Sequence, residues 1–226
     1  MSDWLHPAVL ALIGLATLAN WIAIWKGKLT AYYATKPVVL LGLIAYFLLE
    51  GPVTAFRLPF LLGLIFSLIG DVFLISQRTS WFIAGMGAFS AAQVFYIWGF
   101  NASLPPIPVR FVGIVALVAG MLILQLAVNR LGQQPGINKA IPPFFKGYGS
   151  LILGMAISAV LCLARPVWPD LAAVMAGTGG ILFLLSDAMI GLDKLDRRLP
   201  KCKFWIIFSY HLAQFLIVGA VLRVAV

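Results

Sequence analysis

Apolar residues run through this chain in long blocks separated by short polar stretches. A helix crosses a bilayer with about 20 mostly apolar residues. The blocks therefore predict eight spans, at roughly 5–25, 34–50, 58–76, 81–100, 108–129, 144–164, 169–191 and 204–225. Prolines such as Pro52, Pro105, Pro106, Pro135, Pro166 and Pro200 fall in or beside the gaps, where helices end. A membrane barrel would instead show short alternating segments. The first block has no basic residue before it, unlike a cleaved secretory signal, so it is read as a spanning helix. The predicted architecture is all-α: a polytopic bundle of eight transmembrane helices in one domain, residues 1–226.

Composition agrees and narrows the class. Of 226 residues, 62% are hydrophobic and 10% charged, against about 45–50% and about 25% in soluble domains. This excludes a soluble enzyme, a disordered chain and a disulfide-stapled secreted domain. The net charge of +9 would point to nucleic acid in a soluble protein. Here the bases sit in loops, where they set orientation and meet anionic headgroups. Eight spans put twelve Lys and Arg residues on the face of the odd-numbered loops and four (Arg57, Arg110, Arg165 and Arg223) on the other. The positive-inside rule then places the first face in the cytoplasm and both termini outside. Cys162 lies in an apolar block and Cys202 in a basic loop, a pattern that supports neither a metal site nor a disulfide framework. No cofactor is implied.

Of the seven acidic residues, five lie at span ends or in loops, and Asp71 and Asp187 alone fall in the interior of spans. A carboxylate inside hydrocarbon costs at least about 2.5 kcal/mol, which makes such residues candidates for function. The plain alternative is a structural carboxyl, protonated or paired with lysine. Both residues are predicted one to one and a half turns from the cytoplasmic end of their helix, at one level. Two carboxyl groups in unlike surroundings divide the roles of acid and base.

Other polar residues fall at compatible depths. Lys36 is read as opening the second span, with Pro37 in the first turn; it could bind a phosphate or simply set orientation. Gln93 and Tyr96 are three apart in the fourth span, and Tyr210 and Gln214 four apart in the eighth, so each pair shares a face. Buried amides and phenols also bond neighbouring helices. His211 is one position off the Tyr210 face and reads as a packing residue. No histidine and carboxylate cluster suits a zinc hydrolase, and no Ser-His-Asp set or phosphate loop appears. Gly177, Gly179 and Gly180 read as a close-packing surface ahead of Asp187. The two halves also echo one another: Ser67 to Asp71 leads to Ala92-Gln93, and Leu185-Ser186-Asp187 leads to Ala213-Gln214, as a four-plus-four parallel repeat would.

Phe66-Ser-Leu-Ile-Gly-Asp-Val-Phe-Leu74, Phe82, Gly85, Ala88-Phe89, Tyr96, Leu182-Phe-Leu-Leu-Ser-Asp187, Tyr210-His-Leu-Ala-Gln214 and Lys36-Pro37 together resemble the YhhN-like lysoplasmalogenase family. Two positions depart from its pattern: Gln93 stands where histidine is common, and His211 where a second aromatic is common. The resemblance implies an integral-membrane hydrolase acting on an ether bond, cleaving the vinyl ether of choline or ethanolamine lysoplasmalogens. The products are a fatty aldehyde and a glycerophospho-choline or -ethanolamine. Asp71 and Asp187 would be the catalytic pair, their acid and base roles open. Lys36, Gln93, Tyr96, Tyr210 and Gln214 would contact substrate or water. The implied partners are the lysophospholipid and membrane lipids, with no nucleic acid and no obligate protein, and the implied location is a bacterial inner membrane. The competing readings are a proton-coupled transporter using the same carboxylates and a structural or lipid-binding membrane protein. An intramembrane aspartyl protease fits poorly, because Leu68 and Ala188 break its motifs.

Overall fold

The computed structural model describes residues 4–76, 78–102, 119, 122, 126, 143–194 and 200–225. Among them every regular element is helical: α1 (Leu5–Trp25), α2 (Leu29–Leu49), α3 (Leu58–Phe73), α4 (Thr79–Asn101), α5 (Pro143–Val160) continued by a 3-10 turn (Leu161–Ala164), α6 (Asp170–Lys194) and α7 (Cys202–Val221). Six of the described helices are long and apolar enough to cross a membrane, α5 counting with its 3-10 turn. The chain is an integral, multi-pass membrane protein. The predicted fifth span, 108–129, lies outside the described residues apart from Ala119, Leu122 and Leu126, as do Arg110, Arg130 and Lys139.

Two predicted boundaries need correction. The second helix begins at Leu29, not residue 34, so Lys36 and Pro37 lie two turns inside α2. The cause is a tight Schellman closure of α1. Gly27 takes a φ of 70°, the Lys28 amide bonds the Ala23 carbonyl at 2.8 Å, and the Gly27 amide bonds that of Ile24 at 3.1 Å. Only residues 26–28 join the two helices, and the stretch from Leu29 to Tyr33 becomes helix. Asn20 of α1 secures it, its amide nitrogen donating to the Tyr32 carbonyl and to Thr35 Oγ1, both at 2.9 Å.

The third helix stops at Phe73, where predicted span 58–76 gives way to a turn with amide bonds from Ile75 to Val72 and from Ser76 to Phe73. Its 16 residues rise about 24 Å, short of the roughly 30 Å of hydrocarbon. Asp71 is therefore half a turn from the helix end, closer than predicted.

The polarity of the helices is inverted relative to a soluble protein. On α1, Leu12, Leu15 and Ile22 are exposed while Thr17 and Asn20 are buried; on α4, Ile83, Val94 and Trp98 are exposed while Gln93 and Tyr96 are buried. Apolar side chains face where lipid would be, and amides and hydroxyls turn inward.

Packing divides the chain into two compact units, Met1–Gly99 with Ala225–Val226, and Phe100–Val224. Within the first, α3 and α4 meet at three glycines. Tyr96 packs on Gly63, while a methyl group on Gly70 would sit 2.6 Å from Phe89 and one on Gly99 2.7 Å from Phe60. These contacts share one antiparallel register. It brings Gln93 level with Phe66 and Ser67, and Ala88 level with Asp71.

Within the second unit, Gly180 abuts Ala156 and Ala159 of α5, and Gly179 abuts Ile217 and the Ala213 carbonyl of α7, as close packing ahead of Asp187 requires. Gly177 would accept a methyl group in ordinary contact, at 3.5 Å. Arg165 is buried rather than loop-exposed. Its guanidinium donates to the Phe100 carbonyl and, at 2.6 Å, to Asn101 Oδ1, while Asn101 Nδ2 donates to Ser158 Oγ at 2.9 Å. Hydrogen bonds to a charged partner are worth about 1.5–3 kcal/mol and leave a buried acceptor unmatched when broken. Arg165→Met is expected to lower unfolding stability in detergent by about 3 kcal/mol, and wild-type stability would refute a tying role.

Candidate functional site

The first unit holds an ion pair inside apolar helices. Lys36 Nζ of α2 lies 2.8 Å from Asp71 Oδ1 of α3, with the side chains 8% and 1% exposed. Position explains the contact. Lys36 follows Thr35, which Asn20 holds, so the α1–α2 packing fixes which way this part of α2 turns. Thr35 Oγ1 also donates to the Ala31 carbonyl one turn back, at 2.7 Å. Lys36 thus lies inside α2 rather than in its opening turn. It neutralises a carboxylate, the partner that the structural alternative for Asp71 named.

Gln93 and Tyr96 of α4 are fully buried on the face toward α3. Ser67, also fully buried, stands between Gly63 and Gly70 on the facing stripe of α3. One helical turn, about 6 Å, separates Ser67 from Asp71. Lys36, Asp71, Ser67 and Gln93 thus form a polar band within one helical turn along α3.

The second unit presents the other carboxyl group differently. The Tyr148 hydroxyl of α5 donates to Asp187 Oδ2 of α6. Sequence reasoning missed Tyr148, which looked like an ordinary aromatic at the start of a span. One signal was available: Tyr148 precedes Asp187 by 39 residues, close to the 35 between Lys36 and Asp71. In both units the helix before the aspartate helix supplies its partner.

Tyr210 packs edge-on against Phe183, one turn before Asp187, with ring centroids 5.4 Å apart and planes at 89°. Gln214 is fully buried one turn further along α7. Ser186 Oγ donates to the Ile206 carbonyl at 2.9 Å, fixing α6 against α7 beside the carboxylate. His211 is also fully buried, its ring 5.7 Å from Tyr210 and 6.4 Å from Phe215, a packing environment as predicted.

The chemistry on offer therefore includes two carboxyl groups, one paired with an ammonium and one accepting a bond from a phenol. Buried amides and phenols accompany each.

The YhhN family profile matches residues 31–221. Lysoplasmalogenase TMEM86A of Bos taurus is 33% identical over 158 residues, covering 69% of this chain and 61% of that protein. Its Homo sapiens counterpart is 31% identical over 157 residues, with 69% and 61% covered. Lysoplasmalogenase TMEM86B of Homo sapiens is 30% identical over 162 residues, with 71% and 62% covered. The chain thus spans about three fifths of the length of these curated relatives. No solved structure matches it.

Proposed function

This chain belongs to the YhhN family, and from that membership we propose that it hydrolyses the vinyl ether bond of a lysoplasmalogen of the choline or ethanolamine type. The products are a fatty aldehyde and the glycerophospho-alcohol. The observation that carries this reading is the unlike pairing of two carboxyl groups within apolar helices, Asp71 with Lys36 and Asp187 with Tyr148. The relatives' names point to hydrolysis rather than transport.

Vinyl ether hydrolysis begins with proton transfer to the outer vinyl carbon, which turns the ether oxygen and its neighbouring carbon into an oxocarbenium ion. Water adds to that carbon and loses a proton, and the resulting hemiacetal collapses to aldehyde and alcohol. The sequence needs a proton donor and a carboxylate that steadies the cation and takes the proton from water, as in glycoside hydrolysis. We assign the carboxylate role to Asp71, whose charge Lys36 already matches, and the donor role to Asp187, which the Tyr148 hydroxyl orients. Tyr148 is a positioning residue for Asp187. Gln93, Tyr96, Tyr210 and Gln214 orient substrate or water.

Tyr148→Phe keeps the ring and removes only the hydroxyl. It is expected to lower kcat for aldehyde release by about tenfold, the order of one hydrogen bond, with KM little changed. An unchanged kcat would remove Tyr148 from the mechanism.

The same reading takes the chain as one membrane domain of eight spans in two four-helix halves, with both termini outside a bacterial cell membrane. The unit boundary at Gly99 and Phe100, at the end of α4, supports the halves, and the asymmetry of basic residues supports the orientation. The deciding experiment is mass spectrometry of purified protein incubated with lysoplasmalogen and with an ordinary acyl lysolipid. Aldehyde from the first supports the assignment; cleavage of the acyl lipid alone refutes it.

A further inference from the structure

Gln93 is fully buried, and among the described residues neither its amide oxygen nor its amide nitrogen has a hydrogen-bond partner. More than nine in ten buried polar groups in folded proteins are bonded, and a bare amide in an apolar interior is costly. This one lies on the inner face of α4, between Phe89 and Tyr96, at the level of Ser67 and one turn from the Lys36–Asp71 pair. The same α3–α4 register that closes over Gly63 and Gly70 holds it there.

From this we infer that Gln93 is the site's hydroxyl-recognition group: its amide binds a single hydroxyl, which accepts from the nitrogen and donates to the oxygen. The chemistry of the amide selects this ligand. A phosphate has only acceptors here and would repel the amide oxygen. A trimethylammonium group offers no N–H or O–H donor, and a primary ammonium serves the oxygen alone. A hydroxyl satisfies both atoms at once. Two sources carry one: the free glycerol hydroxyl that distinguishes a lysolipid from a diacyl lipid, and the water that enters the reaction. The inference rests on the hydrolase reading for the identity of the lipid, while the bare amide stands independently of it.

Gln93→Met, close in shape and without donor or acceptor, separates a ligand-binding amide from a structural one by the sign of its effect on stability. It is expected to raise the unfolding temperature of lipid-free protein in detergent and to lower kcat/KM for aldehyde release by about tenfold. Two substrates tell the sources apart, a lysoplasmalogen and its analogue lacking the glycerol hydroxyl. If the lipid hydroxyl is bound, wild type loses about tenfold on the deoxy analogue and the variant shows no further loss. If water is bound, the variant loses equally on both, in kcat. Either pattern supports the inference. Wild-type kinetics in the variant, or a lowered unfolding temperature, overturns it. A non-cleavable alkyl-ether lysolipid adds a readout that needs no turnover, its stabilisation of wild type against that of Gln93→Met. Should wild type release no aldehyde, the hydrolase reading fails, and equal stabilisation of the two proteins then overturns the Gln93 inference as well. Weaker stabilisation of Gln93→Met upholds it.

Discussion

Asp187→Asn and Asp71→Asn are each expected to cut fatty-aldehyde release from lysoplasmalogen by about 10²–10⁴-fold, the usual contribution of a positioned acid or base. Asparagine keeps the size and planarity of the side chain and removes the ionisable oxygen. In Asp187→Asn the remaining carbonyl still accepts from the Tyr148 hydroxyl, so the packing of α5 on α6 persists and the loss falls on proton donation. The two variants separate the roles further. Asp187→Asn removes the only proposed proton source for carbon, and the substrate should still bind. Asp71→Asn removes the negative charge proposed to steady the oxocarbenium ion. Aldehyde release should be lost in both; Asp187→Asn should insert and fold normally, whereas Asp71→Asn, which strands Lys36, should also lose stability, and full activity in either would sink the assignment.

The largest effect on stability should come from splitting the ion pair. An exposed pair is worth under about 1 kcal/mol, but Lys36 and Asp71 are 8% and 1% exposed. Removing one partner of a buried pair strands a charge and costs about 3–5 kcal/mol. Lys36→Met is therefore expected to unfold at markedly lower denaturant or temperature. The double variant Lys36→Met/Asp71→Leu, with no charge left to strand, should recover most of that loss, because apolar replacement of a buried pair is often neutral. It should release no aldehyde. The contrast between a folded, inert double variant and an unstable single one identifies a pair kept for chemistry. A Lys36→Met variant as stable as wild type would overturn the burial argument.

Much of this was readable from the chain. Long apolar blocks located the helices because lipid tolerates little else, and Asp71 and Asp187 stood out because so few charges enter those blocks. The misread features share a cause, since tertiary packing decided them. The stretch from Leu29 to Tyr33 looked like a loop, but Asn20 on the neighbouring helix bonds Tyr32 and Thr35, and α2 starts five residues early. Arg165 looked like a loop charge, yet the end of α4 supplies acceptors that let it be buried. Tyr148 carries no mark in its own segment; only its hydrogen-bond partner gives it meaning. Gln93 was legible as a buried amide, but its lack of a hydrogen-bond partner among the described residues became visible only once α3 and α4 were packed.

The Lys36–Asp71 pair also bears on how the protein enters its membrane. On insertion scales a lysine near the middle of a helix costs about 2.5–3.5 kcal/mol, and an aspartate nearer the end adds a smaller cost to α3, so α2 above all is a poor candidate to partition alone. The two helices are consecutive, joined by residues 50–57, and carry opposite charges that meet at 2.8 Å. The lowest-cost route into lipid is for both to leave the translocon as one neutralised hairpin. The Lys36–Asp71 contact is then formed at biogenesis, before the second unit has been synthesised.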